Sequence, residues 1–304
     1  MFHRFQRQTI SATEIALRVG GVVRGAGEAT VNTVCSMSDP KPSALAFCTK
    51  SDVLLRARLP PGMVVLTSEA VGEPGHTNQI LVDDPRLAFA IACAAFFEAR
   101  PSPEISPSAS VDPTATVGVG VAIGPGSVIG PGVQIGDGTE IRANVVIGPD
   151  VVIGRRCLIK SGAIIGEEGF GIAKTTAGHN VRVPQFGSVV IGDDVEVGSL
   201  TTVTSGTIDP VQIADRVKID DHVHIGHNAI IDEDTIITAC AEMGRVRIGK
   251  RVWIGPNTSI KEGVVICDDA FVGIGSVIIR SLEVPGVYAG APTRMLRAHG
   301  EERT

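Results

Sequence analysis

Two hydrophobic rhythms divide the chain. From Ile105 onward an apolar, mostly β-branched residue returns at every sixth position: Ile105, Val111, Val117, Ile123, Ile129, Ile135, Ile141, Ile147, Ile153, Ile159 and Ile165. The rhythm resumes at Ile191, Val197 and Val203. It then runs from Ile213 through Ile219, Ile225, Ile231 and Ile237 to Met243, and from Ile248 through Ile254, Ile260, Ile266, Val272 and Ile278 to Val284. Such a period matches neither the helical repeat nor the simple alternation of a two-faced strand. It predicts a parallel β-helix with coils of about 18 residues and three flat faces, each apolar residue pointing inward onto its equivalents in the next coils. Gly often follows the inward residue, as in Ile123-Gly124 and Ile129-Gly130. Its expected role is at corners whose backbone geometry a β-carbon disfavours.

Three breaks interrupt the register. Residues 166–190 lack the pattern and predict a loop leaving the coil. Val203 to Ile213 spans ten positions, so about four extra residues bulge out, and Met243 to Ile248 spans five, a deletion of one. Irregularities in a regular scaffold are where functional groups tend to gather.

Residues 1–100 have a different texture, that of a small mixed α/β domain. Ser11-Ala12-Thr13-Glu14 fits a capping box ahead of Ile15, Ala16 and Leu17, with Gly20-Gly21 ending the helix. Val22-Val23, Val31, Val34 and Met63-Val64-Val65-Leu66 read as strands. Asp84-Pro85 opens a second helix, with Leu87, Ile91, Ala94 and Phe97 expected along its buried face. Pro101, Pro103 and Pro107 mark a linker. The predicted organisation is mainly β: a small α/β domain over 1–100, a β-helix domain over 101–290 bearing the loop 166–190, and a short tail over 291–304.

Composition narrows the function classes. The 304 residues include 36 Gly and only 4% aromatics, which suits a narrow core of Ile and Val. Net charge is −6 and no basic run appears, against a nucleic-acid binder. No apolar run is long enough to span a membrane. Met1-Phe2-His3-Arg4-Phe5-Gln6 lacks the apolar core of a signal peptide. The six cysteines at 35, 48, 93, 157, 240 and 267 are widely spaced and read as reduced thiols of a cytoplasmic protein.

Three of the seven histidines cluster in Asp221-His222-Val223-His224-Ile225-Gly226-His227-Asn228. His227 lies two residues past the inward Ile225, which places it at the surface of a coil. Imidazole titrates near neutrality, so His227 is a candidate general base. One coil on, allowing for the deleted residue, counting leads to Gly244. Its amide is a candidate donor to an oxyanion.

The chain resembles the UDP-3-O-acylglucosamine N-acyltransferases of lipid A biosynthesis. The resemblance rests on Ala46-Phe47, Asp83-Asp84-Pro85-Arg86-Leu87-Ala88-Phe89, Ile105-Ser106-Pro107-Ser108-Ala109, Gly169-Phe170-Gly171, Pro184-Gln185-Phe186-Gly187, Ile225-Gly226-His227-Asn228 and Pro285-Gly286-Val287-Tyr288. It implies a uridine-binding N-terminal domain, a left-handed β-helix and a homotrimer with sites between adjacent subunits. It also implies His227 as the base that deprotonates a sugar amine attacking an acyl thioester, and a Gly amide at Gly244 facing the oxyanion. Phe47 becomes a base-stacking candidate. Phe170, Gly171, Gln185, Asn228, His222 and His224 become substrate-binding candidates. The donor is an acyl carrier protein phosphopantetheine or an acyl-coenzyme A, the acceptor a nucleotide sugar, and no metal or tightly held cofactor is expected. The chain departs from the family pattern at Lys50, Val53, Thr204-Ser205-Gly206 and Lys261-Glu262-Gly263. Its ending at Tyr288-Ala289-Gly290-Ala291-Pro292 is similar to the coenzyme-A-dependent sugar acetyltransferases of the same superfamily, an alternative reading.

Two further readings belong to other classes. His222 and His227 are spaced like ligands of a γ-carbonic-anhydrase zinc site, but Asp232 stands where a second His of that pattern would be, and the nearest third ligand is His179. A non-catalytic β-helix that only binds a ligand is the other.

Overall fold

The computed structural model describes residues 8–25, 28–56, 58–72, 78–99 and 102–298. The signal-peptide expectation for Met1–Gln6 and the linker residue Pro101 lie outside these. The chain divides into two compact units, Met1–Arg100 and Pro101–Thr304.

The first unit is a five-stranded sheet in the order Val22–Arg24, Asn78–Leu81, Val64–Thr67, Ala44–Cys48, Thr33–Val34. The first pair is antiparallel and the others parallel. The capping box forms at the helix Ala12–Val19. The Ser11 hydroxyl accepts from the Glu14 amide at 3.2 Å, the Glu14 carboxylate accepts from the Ser11 amide at 2.9 Å, and Gly20 closes the helix with φ 70°. Asp84 caps the helix Pro85–Ala92, which continues as one π turn over Cys93–Phe97. Its buried face differs from expectation. Ala88, Ala92 and Phe97 are buried, whereas Leu87, Ile91 and Ala94 are exposed. Small alanines bring the helix backbone close to the sheet, and the bulkier side chains are left outside.

The second unit is a parallel β-helix of three sheets. Strand partners lie 18 residues apart in regular coils, as in Val128↔Val146 and Gln134↔Val152. Its core is the stack of inward residues from Ile123 to Ile278, nearly all of them fully buried. Each buried Ile or Val contributes about 1.5–3 kcal/mol. The repeat frays at both ends. Ile105 remains 44% exposed, and Val284 is 54% exposed, so Val284 is not a core position. After Ile278 the core is completed by Leu282 and Tyr288, and Gly286–Ala289 pairs with Arg294–Ala298 to finish one sheet. Part of the expected tail is therefore a strand.

The glycines do a different job from the one expected. Gly124, directly after Ile123, does not have a positive φ. A β-carbon there would stand 2.7 Å from the Arg142 backbone of the next coil. The left-handed residue comes two positions later: Gly126 with φ 71°, and in later coils His222 at 59° and Asn228 at 58°. Coil spacing demands the first glycine and chain direction the second.

At the corner before the Cys157, Val195, Val217 and Thr235 positions, charges alternate in sign from coil to coil. Arg155 pairs with Asp193 at 2.7 Å, Arg156 with Asp194 at 2.6 Å, Arg216 with Asp234 at 2.7 Å and Arg251 with Asp269 at 2.7 Å. Each exposed pair is worth little, but a slip of one coil would set like charges against each other.

Candidate active site

All three breaks in the register fall at one edge of the β-helix. The strands Ile164–Glu167, Thr202–Thr204, His224–Ile225 and Glu242–Met243 are consecutive neighbours in one sheet. The long loop leaves after the first of these, the bulge after the second, and the one-residue deletion after the fourth. The third turn, Gly226–Ala229, has regular length and carries His227. Three departures on four successive coils thus gather around one imidazole.

The long loop is folded, with a hairpin of Ile172–Lys174 against Asn180–Arg182. Glu168 and Arg182 pair across it. Backbone bonds fasten its ends to the bulge: Ser205 N–H donates to Glu167 O at 2.8 Å, Phe186 N–H to Thr207 O at 2.9 Å and Gly187 N–H to Gly206 O at 2.9 Å. Gly169 lies directly on the histidine. A β-carbon at Gly169 would stand 2.9 Å from His227 Cβ.

His227 is half-buried, and its ring is held by one polar neighbour. Nδ1 lies 2.9 Å from Asn228 Oδ1. That oxygen also accepts from the Thr207 N–H at 3.2 Å, while Asn228 Nδ2 points to Asp209 O at 3.4 Å. The amide orientation is therefore set by its surroundings, and Oδ1 is an acceptor. The neutral imidazole must carry its proton on Nδ1, leaving the Nε2 lone pair free to take a proton. Thr207 is itself held by its hydroxyl, which donates to Gln185 Oε1 at 3.0 Å.

A cleft of about 290 Å³ gathers Glu168, Phe170, Thr204, His224, His227 and Gly244. The expected residues Phe170, His224, His227 and Gly244 thus meet. Register corrects the count that led to Gly244. Ile225 pairs with Met243, so Gly244 stacks on Gly226 and not on His227, because the deletion comes after Gly244. The amides at Gly226, Gly249 and Gly255 donate to the next coil at 2.7–2.8 Å; among the described residues the Gly244 amide makes no such bond. The shortened turn leaves it as a donor beside the cleft.

Other expected residues fall elsewhere. His222 sits at the preceding corner of the coil, exposed and outside the cleft. Asn228 is occupied with His227 and Thr207. Gln185 is buried; its amide donates to Val183 O at 2.9 Å and shapes the loop, against which Gly171 packs. Phe47 belongs to the first unit, where its ring lies 5.1 Å from that of Phe89 and packs on the sheet core. His179 lies in the hairpin turn, and among the described residues no three His, Cys, Asp or Glu side chains come together to hold a metal ion. Sequence reasoning missed Thr207, Glu168, Gly169 and Arg245. Thr207 and Arg245 were signalled only by lying inside the bulge and the shortened turn.

Two family models match the β-helix: the GMPPB C-terminal domain over residues 104–211 and the bacterial transferase hexapeptide, six repeats, over 245–280. Among solved structures, LpxA from Acinetobacter baumannii is 25% identical with a TM-score of 0.58, covering 63% of this chain and 73% of that one. A UDP-N-acetylglucosamine acyltransferase from Campylobacter jejuni, at 24% identity and TM-score 0.58, shows the same fold. The protein is thus a hexapeptide-repeat acyltransferase built on a left-handed β-helix. A UDP-3-O-acylglucosamine N-acyltransferase of Coxiella burnetii (strain RSA 493 / Nine Mile phase I) is 32% identical over 301 residues, 92% of this chain and 88% of the relative. One from Methylococcus capsulatus is 35% identical over 144 residues, 47% of this chain and 41% of that protein. The chain belongs to the UDP-3-O-acylglucosamine N-acyltransferase family.

Proposed function

We propose that the protein transfers an acyl group from a thioester donor to the amine of a UDP-linked 3-O-acylglucosamine, in lipid A assembly, with His227 as general base. The observation that carries the reading is the contact of His227 Nδ1 with Asn228 Oδ1, which leaves Nε2 unengaged on a ring bordering the cleft that Gly244 also lines.

The amine nitrogen attacks the thioester carbon while His227 Nε2 takes its proton. Negative charge develops on the thioester oxygen, where the unengaged Gly244 amide is placed to donate. Collapse breaks the C–S bond. The imidazolium returns the proton to the leaving thiolate, so the products are an amide and a thiol. The neutral amide of Asn228 orients the ring through Nδ1.

The donor is carried on acyl carrier protein phosphopantetheine, with coenzyme A as the alternative carrier. The working unit is a homotrimer. Phe170 in the cleft, Phe186 on the long loop and Ile208 on the bulge are 80%, 82% and 76% exposed, apolar surface suited to burial against a neighbouring subunit. Phe47 and the first unit serve the uridine. A cytoplasmic setting accords with the six free cysteines. No helix among the described residues is long and apolar enough to cross a membrane.

Intact-mass detection of acyl transfer tests the reading. UDP-3-O-acylglucosamine is offered with acyl-loaded carrier proteins, in parallel with acetyl-coenzyme A and a panel of amino sugars. Acylation in the first arm is expected. Acylation only in the second would replace this function with sugar N-acetylation, and light scattering showing a stable monomer would remove the shared site.

A further inference from the structure

We propose that the shortened turn after Met243 carries a phosphate-binding site, made by Arg245 and Arg247, that holds the anionic end of a substrate whose reacting end lies at His227. The proposal rests on the acyl-transfer reading and adds a recognition element to it.

Two further clefts adjoin this edge of the β-helix, and the larger of them borders the histidine. The larger, about 590 Å³, is bordered by Thr207, Ile208, Pro210, His227, Ile230 and Arg245. The smaller, about 210 Å³, shares Asn228, Ile230 and Arg245 with it and adds Arg247 and Val265. Together they make one path: His227, Ile208, Pro210 and Ile230 border the larger cleft, Arg245 borders both, and Arg247 borders the smaller. Asp209 is the carboxylate on this path.

The two arginines are held less firmly than the paired arginines of the charged corner. Arg155, Arg156, Arg216 and Arg251 are each matched to a carboxylate of the next coil. Arg247 instead projects between its register partners Ile230 and Val265. Among the described residues its side chain has no ion-pair or hydrogen-bond partner. Arg245 meets only Glu262, at 3.3 Å, with both side chains more than half exposed. Such a pair is weak and yields readily to a better anion.

A guanidinium presents paired N–H groups that match the oxygens of a phosphate, and two of them suit a phosphate ester or anhydride. The apolar Ile208, Pro210 and Ile230 suit the stretch of substrate between that phosphate and the reacting group. Phosphate of this kind occurs in both substrates: the diphosphate of a nucleotide sugar and the phosphodiester of a phosphopantetheine arm.

The test is binding without turnover, so it stands apart from the catalytic reading. UDP and 4′-phosphopantetheine are titrated by calorimetry into the wild-type protein and into the Arg245→Gln/Arg247→Gln double variant. The double variant should lose roughly tenfold to hundredfold in affinity for one of them. Arg247→Lys, which keeps charge but not the fork, should fall between. Loss confined to UDP assigns the site to the nucleotide sugar, and loss confined to 4′-phosphopantetheine assigns it to the donor. If neither compound binds the wild type, or both bind the double variant unchanged with a wild-type melting curve, the proposal is wrong. An absence of acyl transfer in the wild type would instead overturn the function and leave the binding result standing.

Discussion

Asn228 holds the Nδ1 edge of His227 at 2.9 Å, and the Thr207 N–H on the same amide oxygen decides which edge of the asparagine faces the ring. A bulge one coil earlier thereby selects the imidazole tautomer. The base is thus oriented by a neutral amide.

Removing the imidazole should be the costliest change. His227→Ala is expected to lower kcat by about 10²–10⁴-fold. The trimer should remain folded, because the side chain lies at the surface of a coil and not in the stack of Ile and Val. His224→Ala, in the cleft but lacking the Asn228 contact, should cost less, and His222→Ala, at another corner, least. Steady-state rates on the substrate found by mass spectrometry, with melting curves, check the order. Wild-type activity in His227→Ala would sink the assignment.

Asn228 should respond to chemistry more than to size. Asn228→Asp keeps an acceptor toward Nδ1 and tolerates the left-handed backbone at φ 58°, so it should retain activity within about tenfold. Asn228→Ala frees the ring and adds backbone strain. It should lose more than tenfold in kcat with little change in KM. Equal kcat losses in the two variants would show that orientation of the ring is not what Asn228 provides.

Gly169→Ala tests the contact between loop and base. The added methyl would stand 2.9 Å from His227 Cβ and 3.2 Å from Ser205 O, neither of which can swing away. The loop must lift, and activity should drop while melting temperature changes little, since the Ile stack beneath is untouched. Full activity, measured beside the melting curve, would mean that the loop does not need to rest on the histidine.

The charged corner makes stability depend on acid. Hydrogen bonds from Arg155 and Arg156 hold the carboxyls of Asp193 and Asp194 below their ordinary value. A carboxyl whose folded pKa is depressed contributes stability above its unfolded value, and loses that contribution as pH falls through the folded one. Melting temperature should therefore fall on acidification below about pH 4, where an unpaired Asp titrates. In Arg155→Gln/Arg156→Gln the fall should be shallower. Calorimetric scans at neutral and acid pH compare the two, and parallel curves would show that these pairs do not contribute.

The six-residue period and the capping box at Ser11 could be read from the chain, because each depends on neighbours within one coil or one turn. Inward Ile and Val positions follow from the pattern alone, as do the places where it breaks. What the breaks build could not be read. Residues 167, 204, 226 and 244 lie on separate coils, and only parallel stacking brings their turns to one edge. The tautomer of His227 depends on Thr207, twenty positions away along the chain. The same holds for the errors. Gly244 was aligned with His227 by counting, whereas the ladder sets it on Gly226. Helical spacing points to Leu87 and Ile91 as inward residues, whereas Ala88 and Ala92 allow the closer packing. Periodicity is a local property and survives in the sequence; the identity of the residue across a coil boundary is set by register, which exists only once the coils have stacked.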